Sequence, residues 1–377
     1  MSDEPRKLPW RWDVIAVLFG TLIGAITLVP AWGIWHGYEA ALWGWFGLFL
    51  AWNGLSITAG YHRLWSHKAY EAHWIIRVIF ALGGALSLQN SIRLWCSNHR
   101  HHHRYVDDLE KDPYSAKRGL AFSHMGWMLK DYPACQIDET NIKDLDRDWV
   151  VRWQDKYYWP LVLILNIGAP LALGAFYGDA IGGLLLIGLL RLVICHHTTW
   201  FINSLAHAWG SQPYSDEHTA KDNPLIAFLT YGEGYHNFHH TFQWDYRNGI
   251  RWYDFDPTKW LIRGLNAVNL TWGLKRTAPD KIERKQLEMQ LKRTTARIQN
   301  ARPRNYQQWL DLVDAEYHNM VETLNAWSQC RQEWIELKRA SLKEKWERTE
   351  IRARLQELEA ELEFQRRQWR LLTQQFA

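Results

Sequence analysis

The chain has 377 residues, 25 of them Trp and 17 His, and 44 basic against 40 acidic side chains leave a net charge of only +4. That excess makes no case for a nucleic-acid partner, and four scattered cysteines (Cys96, Cys135, Cys195, Cys330) form neither a CxxC pair nor a disulfide framework. The mean hydropathy of −0.37 looks soluble because it averages an apolar first part with a very polar last part, while an aromatic share of 14% suits a protein with membrane interfaces.

The first residues show no signal-peptide pattern with a cleavage site. Residues 14–35 are 22 positions without a formal charge, against the roughly 20 that a spanning helix needs. Residues 40–59 form a second uncharged run, and only His36-Gly37-Tyr38-Glu39 separates the two, so a tight hairpin is predicted. Arg6, Lys7 and Arg11 precede this hairpin, Arg63 and Lys68 follow it, and its loop has no Lys or Arg. The positive-inside rule then places both ends on the cytoplasmic side. The run 74–90 carries Arg77 and is read as embedded without crossing, because a crossing would put the histidine clusters on either side of it across the membrane from each other. Residues 120–153 read as cytoplasmic and interfacial. Residues 159–177 and 180–200 give a second hairpin, turning at Gly178-Asp179, with Arg152 and Lys156 before it and Arg191 inside its second arm. Both termini are therefore expected in the cytoplasm.

Beyond residue 279 there is no glycine and one proline, Pro303. Leu355, Leu358, Leu362 and Trp369 step by 4, 3 and 7, as in a coiled-coil stripe. The expected organisation is an integral membrane domain over 1–278 and a polar helical or coiled-coil extension over 279–377. The fold class expected is all-α, with four transmembrane helices under a cytosolic helical cap.

Three histidine clusters stand on the cap side of these spans. His99, His102 and His103 are spaced i, i+3, i+4, and so are His236, His239 and His240, which puts each trio on one face of a helix, able to converge on one point. His62 and His67 are five apart. Asn203 and His207 continue the fourth span inward at i, i+4. These nine histidines suffice for two metal ions with four or five nitrogens each, Asn203 acting directly or through water. Imidazole suits iron, zinc or copper, and an apolar tunnel implying unactivated C–H bonds selects iron. Glu233 is either an acceptor fixing a histidine ring or part of a salt bridge. Asp107, Asp108 and Asp112 are expected to pair locally with Arg100, Arg104 or Lys111. His36, His73, His101, His124, His196, His197, His218 and His318 have no cluster partner in phase and are read as non-ligands.

At these residues the chain resembles the membrane fatty-acid desaturases of the Δ9, stearoyl-CoA type. The likeness is carried by H-R-L-W-S-H at 62–67, H-R-x-H-H at 99–103, N-S-x-x-H at 203–207, H-N-x-H-H at 236–240 and the segment 119–127, and it extends over roughly 10–275. It implies a di-iron centre held by the nine histidines and Asn203, a four-span mushroom shape, and dehydrogenation of a saturated acyl chain with O2 and two electrons to a cis double bond. It also implies a kinked substrate tunnel at Gln89, Trp95 and Thr199, with Asn90 and Trp200 beside them. Two departures weaken the expected grip on CoA phosphates: Ser97 stands where animal acyl-CoA enzymes carry Arg, and Lys130-Asp131 stands for an Arg-Lys pair. The carrier is therefore CoA, acyl carrier protein or a lipid. No haem-binding His-Pro-Gly-Gly stretch occurs, so a cytochrome b5-like protein or a ferredoxin is the expected electron donor. Two other readings remain: a membrane di-iron hydroxylase or alkane monooxygenase, and a zinc transporter or sensor.

Overall fold

The computed structural model describes residues 8–339 and 345–376; Arg6 and Lys7 of the charge argument lie outside the described residues. The chain divides into two compact units, Met1–Gln212 with Glu217–Arg276, and Pro213–Asp216 with Thr277–Ala377.

In the first unit, α1 (Trp12–Trp35) and α2 (Ala40–Leu55) form the first hairpin. Gly37 at φ +73 makes the turn, and the Tyr38 hydroxyl ties it back by donating to the Val29 carbonyl at 2.6 Å. The chain does not leave the helix at 59, as the hydropathy pattern predicts. It continues through Ser66 as a π-helical segment, Ser56–Ser66. Next come α3 (Trp74–Leu86) and α4 (Ile92–Arg104), then α5 (Trp149–Lys156). The 13 residues of α3 reach about 20 Å, well short of a bilayer core of about 30 Å. Its Arg77 pairs with Asp148 at 2.8 Å just before α5. The second hairpin is α6 (Tyr158–Phe176) and α7 (Ala180–Ala208). Its arms touch so closely that a Cβ on Gly183 would stand 2.5 Å from the Pro170 carbonyl oxygen. Among the described residues, α1, α2 with its continuation, α6 and α7 are long and apolar enough to cross a membrane. Large apolar side chains on them point outward, Ile34 81% and Phe176 80% exposed. An apolar surface on that scale belongs against lipid.

Between the spans, Val29, Leu42, Phe49, Leu86, Leu186 and Ile187 form an apolar core. On the cap side Tyr61, Trp65, Tyr70, Phe80, Ile92 and Ile262 build a second core. Two short helices complete what the site needs, α8 (His236–Thr241) and α9 (Pro257–Ala267). A two-stranded antiparallel ladder, Glu71–Ala72 against Thr271–Trp272, joins the chain after α2 to the end of the unit.

The second unit is built from α10 (Pro279–Ala301), α11 (Tyr306–Arg339) and α12 (Lys345–Gln374). Leu287, Ile298, Val313, Met320, Trp369 and Leu372 form its core. Leu362 and Trp369 of the predicted stripe are buried, while Glu350, Glu357 and Glu361 face outward, so the period read from sequence is that of a packed helix face.

Candidate metal centre

Nine histidines meet in two groups. His62, His67, His99, His103 and His239 form one, and His102, His207, His236 and His240 the other; within each, one ligand atom per residue lies within 4.8 Å of the rest. The groups adjoin, the rings of His103 and His240 being stacked 4.3 Å apart. One expectation needs correction: neither helical trio converges on a single point. On α4, His99 and His103 belong to the first group and His102 to the second; on α8, His239 belongs to the first and His236 and His240 to the second. Residues three and four apart share a face but differ by about 100° between i+3 and i+4, enough to serve two centres side by side.

The five-residue spacing of His62 and His67 has its own cause. On an α-helix, residues five apart point about 140° away from each other. Here the chain is π-helical, and the His67 amide donates to the His62 carbonyl at 3.1 Å. That i→i+5 bond brings the two rings to 4.8 Å. Single π turns inside helices recur at functional sites because they re-aim side chains in this way.

The δ nitrogens are held from outside. His62 Nδ1 meets a Glu233 carboxylate oxygen at 2.9 Å and His102 Nδ1 meets Asp112 at 2.8 Å. His207 Nδ1 meets the Thr219 hydroxyl at 2.8 Å, which itself donates to Asp107 at 2.6 Å. Since a carboxylate only accepts, His62 and His102 carry their proton on Nδ1, leaving Nε2 with a lone pair. The Nε2 atoms then face one another: His67 and His99 at 2.8 Å, His62 and His239 at 3.0 Å, His103 and His239 at 3.0 Å. In the second group His236 Nε2 stands 3.1 Å from those of both His207 and His240, while its Nδ1 is buried without a hydrogen-bond partner among the described residues. One proton cannot satisfy such a junction, but a cation can. Ligand nitrogens at right angles and about 2.1 Å from one ion stand about 3.0 Å apart. The donor set therefore fits two ions of the imidazole-binding kind.

Electrostatics agree. Burial first, and then the mutual repulsion of neighbouring imidazoles, hold His67, His99, His103, His236, His239 and His240 well below the ordinary imidazole range, so they are neutral ligands. Against the opposing effect of its own burial, Glu233 is lowered to about 2 by His62 and Arg63. Both sequence readings of Glu233 hold at once: besides His62 it takes Arg63 at 2.9 Å, and Arg63 also pairs with Asp256 at 3.1 Å. Asp107 and Asp112 are not local partners of Arg100. Arg100 pairs with Asp144 at 2.8 Å, and the two acids orient His207 and His102 as described. Residue spacing carries no signal for this, because Asp112 reaches His102 only after the chain leaves α4 and turns back.

Beside the first group lies a cavity of about 310 Å³, lined by His62, His99, Gln89, Trp95, Thr199 and Trp200 among others. Trp95 stacks on His99 with ring centroids 4.9 Å apart. The Gln89 amide donates to the Thr199 hydroxyl at 2.9 Å. Asn90 and Asn203 also line it. Asn203 ends the regular part of α7, which breaks at Ser204 before His207. His124 and His197, read as non-ligands, bond to each other at 3.0 Å, apart from both groups.

The profile of the fatty acid desaturase family matches residues 40–272. The chain belongs to that family. Acyl-CoA desaturase 1 of Saccharomyces cerevisiae is 45% identical over 247 residues, 65% of this chain and 48% of that protein. Stearoyl-CoA desaturase 5 of Homo sapiens is 36% identical over 64% of this chain and 74% of its own length. An acyl-CoA Delta-12 desaturase of Tribolium castaneum is 34% identical over 76% and 82%. The chain spans about half the length of the fungal relatives it matches. All the histidines of both groups fall inside the matched desaturase region, and the segment Thr277–Ala377, which makes up most of the second unit, lies past its end.

Proposed function

We propose that this desaturase is O2-dependent and dehydrogenates a saturated acyl chain, such as stearoyl- or palmitoyl-CoA, at the Δ9 position to the cis-monounsaturated product. One observation carries the reading: two adjoining imidazole groups, the first of which opens through His62 and His99 onto an apolar cavity containing a hydrogen-bonded Gln89–Thr199 step. His62, His67, His99, His103 and His239 would hold one iron; His102, His207, His236 and His240, with Asn203, the other. Bound there, the two irons supply O2 activation for removing two hydrogens, which zinc, without redox chemistry, does not. Overall, one O2, two electrons and two protons convert a –CH2–CH2– unit to a cis –CH=CH– unit and two waters.

The protein's own part is orientation. Trp95, Gln89 and Thr199, flanked by Asn90 and Trp200, shape the passage past the first histidine group, so that one bond of a flexible chain is presented in a bent conformation. Glu233, Asp112 and Thr219 hold the rings so that their ε nitrogens face inward. Acyl-CoA is favoured over acyl carrier protein or a lipid by the relatives' names, although Ser97 is committed to Asp138, whose amide donates to it at 2.8 Å, and Lys130 lies over the Trp10 ring. Arg11 lines the cavity and is available to an anionic carrier. A cytochrome b5-like or ferredoxin donor would supply the electrons. Arg11, Lys68, Arg152 and Lys156 flank the spans at the ends that carry the histidine cap, which supports a cytoplasmic location for the cap and both termini.

The test is expression in a host lacking unsaturated fatty acids, with gas chromatography of its lipids. A monounsaturated acid absent from a His103→Ala control is the expected result. Hydroxylated chains in its place would reverse the reading.

A further inference from the structure

The turn between α3 and α4 presents Gln89 to the cavity, and it lies at the level of the spans. Buried backbone carbonyls there have no water to bond to, so each needs a protein donor. Within α3's last turn, Gly83 and Gly84 carbonyls accept from the Ser87 amide, and Ala85 accepts from the Leu88 amide. The next two carbonyls are satisfied by side chains of α7. Arg191 Nη1 donates to the Leu86 carbonyl at 2.8 Å, and His196 Nε2 stands 2.9 Å from the Ser87 carbonyl. The chain beyond is in an unusual conformation, Leu88 at φ 51 and Asn90 at φ 76, on either side of Gln89. Non-glycine residues hold such angles only where their surroundings over-determine them. Tyr158 bonds the Asn90 amide at 2.9 Å and Tyr61 its carbonyl at 3.3 Å.

Arg191 is the odd member of this set. It is completely buried inside a membrane-spanning helix, and none of its hydrogen-bond acceptors is a carboxylate: they are the carbonyls of Leu86, Ile187 and Gly188 and the Asn166 side chain, the last at 2.5 Å. A guanidinium is costly at such depth and marks function by default. Its donors all go to backbone and amide oxygens that fix where α3 ends relative to α6 and α7. Thr199, which receives Gln89, stands eight residues along the same helix α7.

We infer that Arg191 is a positioning residue: by clamping the carboxyl end of α3 to α6 and α7 it sets the height of Gln89 beside the metal centre, and so determines which acyl bond is dehydrogenated. This rests on the desaturase reading above. Arg191 lies outside the cavity lining and outside both histidine groups, so its loss should change the register of the bound chain without changing the metals.

The experiment compares wild type with Arg191→Lys, Arg191→Met and Asn166→Leu in the host lacking unsaturated fatty acids. Double-bond positional isomers are resolved by mass spectrometry, and iron per chain and the kcat and KM of purified enzyme are measured. The expected result is full iron content, KM within about 2-fold of wild type, and kcat down about 10-fold in Arg191→Met and less in Arg191→Lys. Minor positional isomers should rise several-fold, most in Arg191→Met, less in Asn166→Leu and least in Arg191→Lys. An unchanged isomer ratio in Arg191→Met at full iron content overturns the inference. So does loss of iron in all three variants, since Arg191 would then be a general folding residue. A wild type that makes no unsaturated product sinks the desaturase reading itself, which is a different outcome from either.

Discussion

The two histidine groups are neighbours, yet they are held differently. In the five-histidine group the outer support is ionic: Glu233 bonds His62 and is locked into a buried network with Arg63 and Asp256. In the four-histidine group the support is lighter, Asp112 behind His102 and a hydroxyl relay from Thr219 to Asp107 behind His207. The first group also borders the cavity through His62 and His99. The group that borders the cavity thus has its outer carboxylate tied into a buried ionic network, while the other is completed by fewer imidazoles and a hydroxyl relay. Each helical trio feeds both, so neither centre can be lost without disturbing the other.

That interdependence gives the largest expected effect. His103→Ala removes a nitrogen from the first group and the ring stacked on His240 of the second. Both metals should be lost or disordered and product formation should fall by more than about 100-fold, beyond what removal of an outer partner does. Iron analysis beside product analysis checks this; retention of one full equivalent with activity would mean that the groups are independent.

Next, Glu233→Gln and Asp112→Asn should separate the two kinds of support. Each should cost about 10–100-fold in metal affinity, measured by competition with a chelator. Only Glu233→Gln leaves a buried guanidinium short of a carboxylate, so only it should also lower stability, by about 3 kcal/mol. Equal thermal shifts for the two variants would mean that Arg63 does not depend on Glu233 for its burial.

Acid should act on both groups together. His67, His99 and His103, like His236, His239 and His240, are shifted downward chiefly by burial. A base lowered in the folded state contributes stability above its unfolded value, about 6.5, and that contribution is lost as pH falls below it. Metal retention and thermal stability should therefore be flat above about pH 7 and decline progressively below about 6.5, because protons and metal compete for the same nitrogens. Stability that rises on acidification would contradict neutral ligands.

Much of this was legible in the residue order, for physical reasons. Three long uncharged runs and a fourth broken only by Arg191 are long and apolar enough to be spans, and histidines at i, i+3, i+4 must share a helix face. That the run 74–90 does not cross was expected from requiring the clusters at 62–67 and 99–103 to lie on the same side, and the 13 residues of α3 are short for a span. What the order concealed was geometry that depends on the turns between elements. The five-residue gap from His62 to His67 holds no α-helical meaning, and only the π-helical continuation of α2 gives it one. The split of each trio between two groups follows from how α4 and α8 cross, which no single helix encodes. Asp112 and Asp107 looked like partners of nearby arginines because sequence shows neighbours, whereas the return of the chain after α4 delivers them to histidines.

The smallest effect tests the lighter support directly. Thr219 accepts from His207 and donates to Asp107, so the carboxylate reaches the ring only through a hydroxyl. Thr219→Val keeps the volume, removes the relay, and leaves His207 Nδ1 without its acceptor. Asp107 keeps the Thr219 backbone amide, which donates to it at 2.7 Å, so the loop should stay in place. A polarised chain of this kind is worth more than an isolated hydroxyl but less than a direct carboxylate. Metal affinity should fall by about 3–10-fold, below the loss in Asp112→Asn, with thermal stability before metal loading nearly unchanged. A loss as large as that of Asp112→Asn would show that the relay transmits the full charge of Asp107, and the four-histidine group would then be as firmly held as its neighbour.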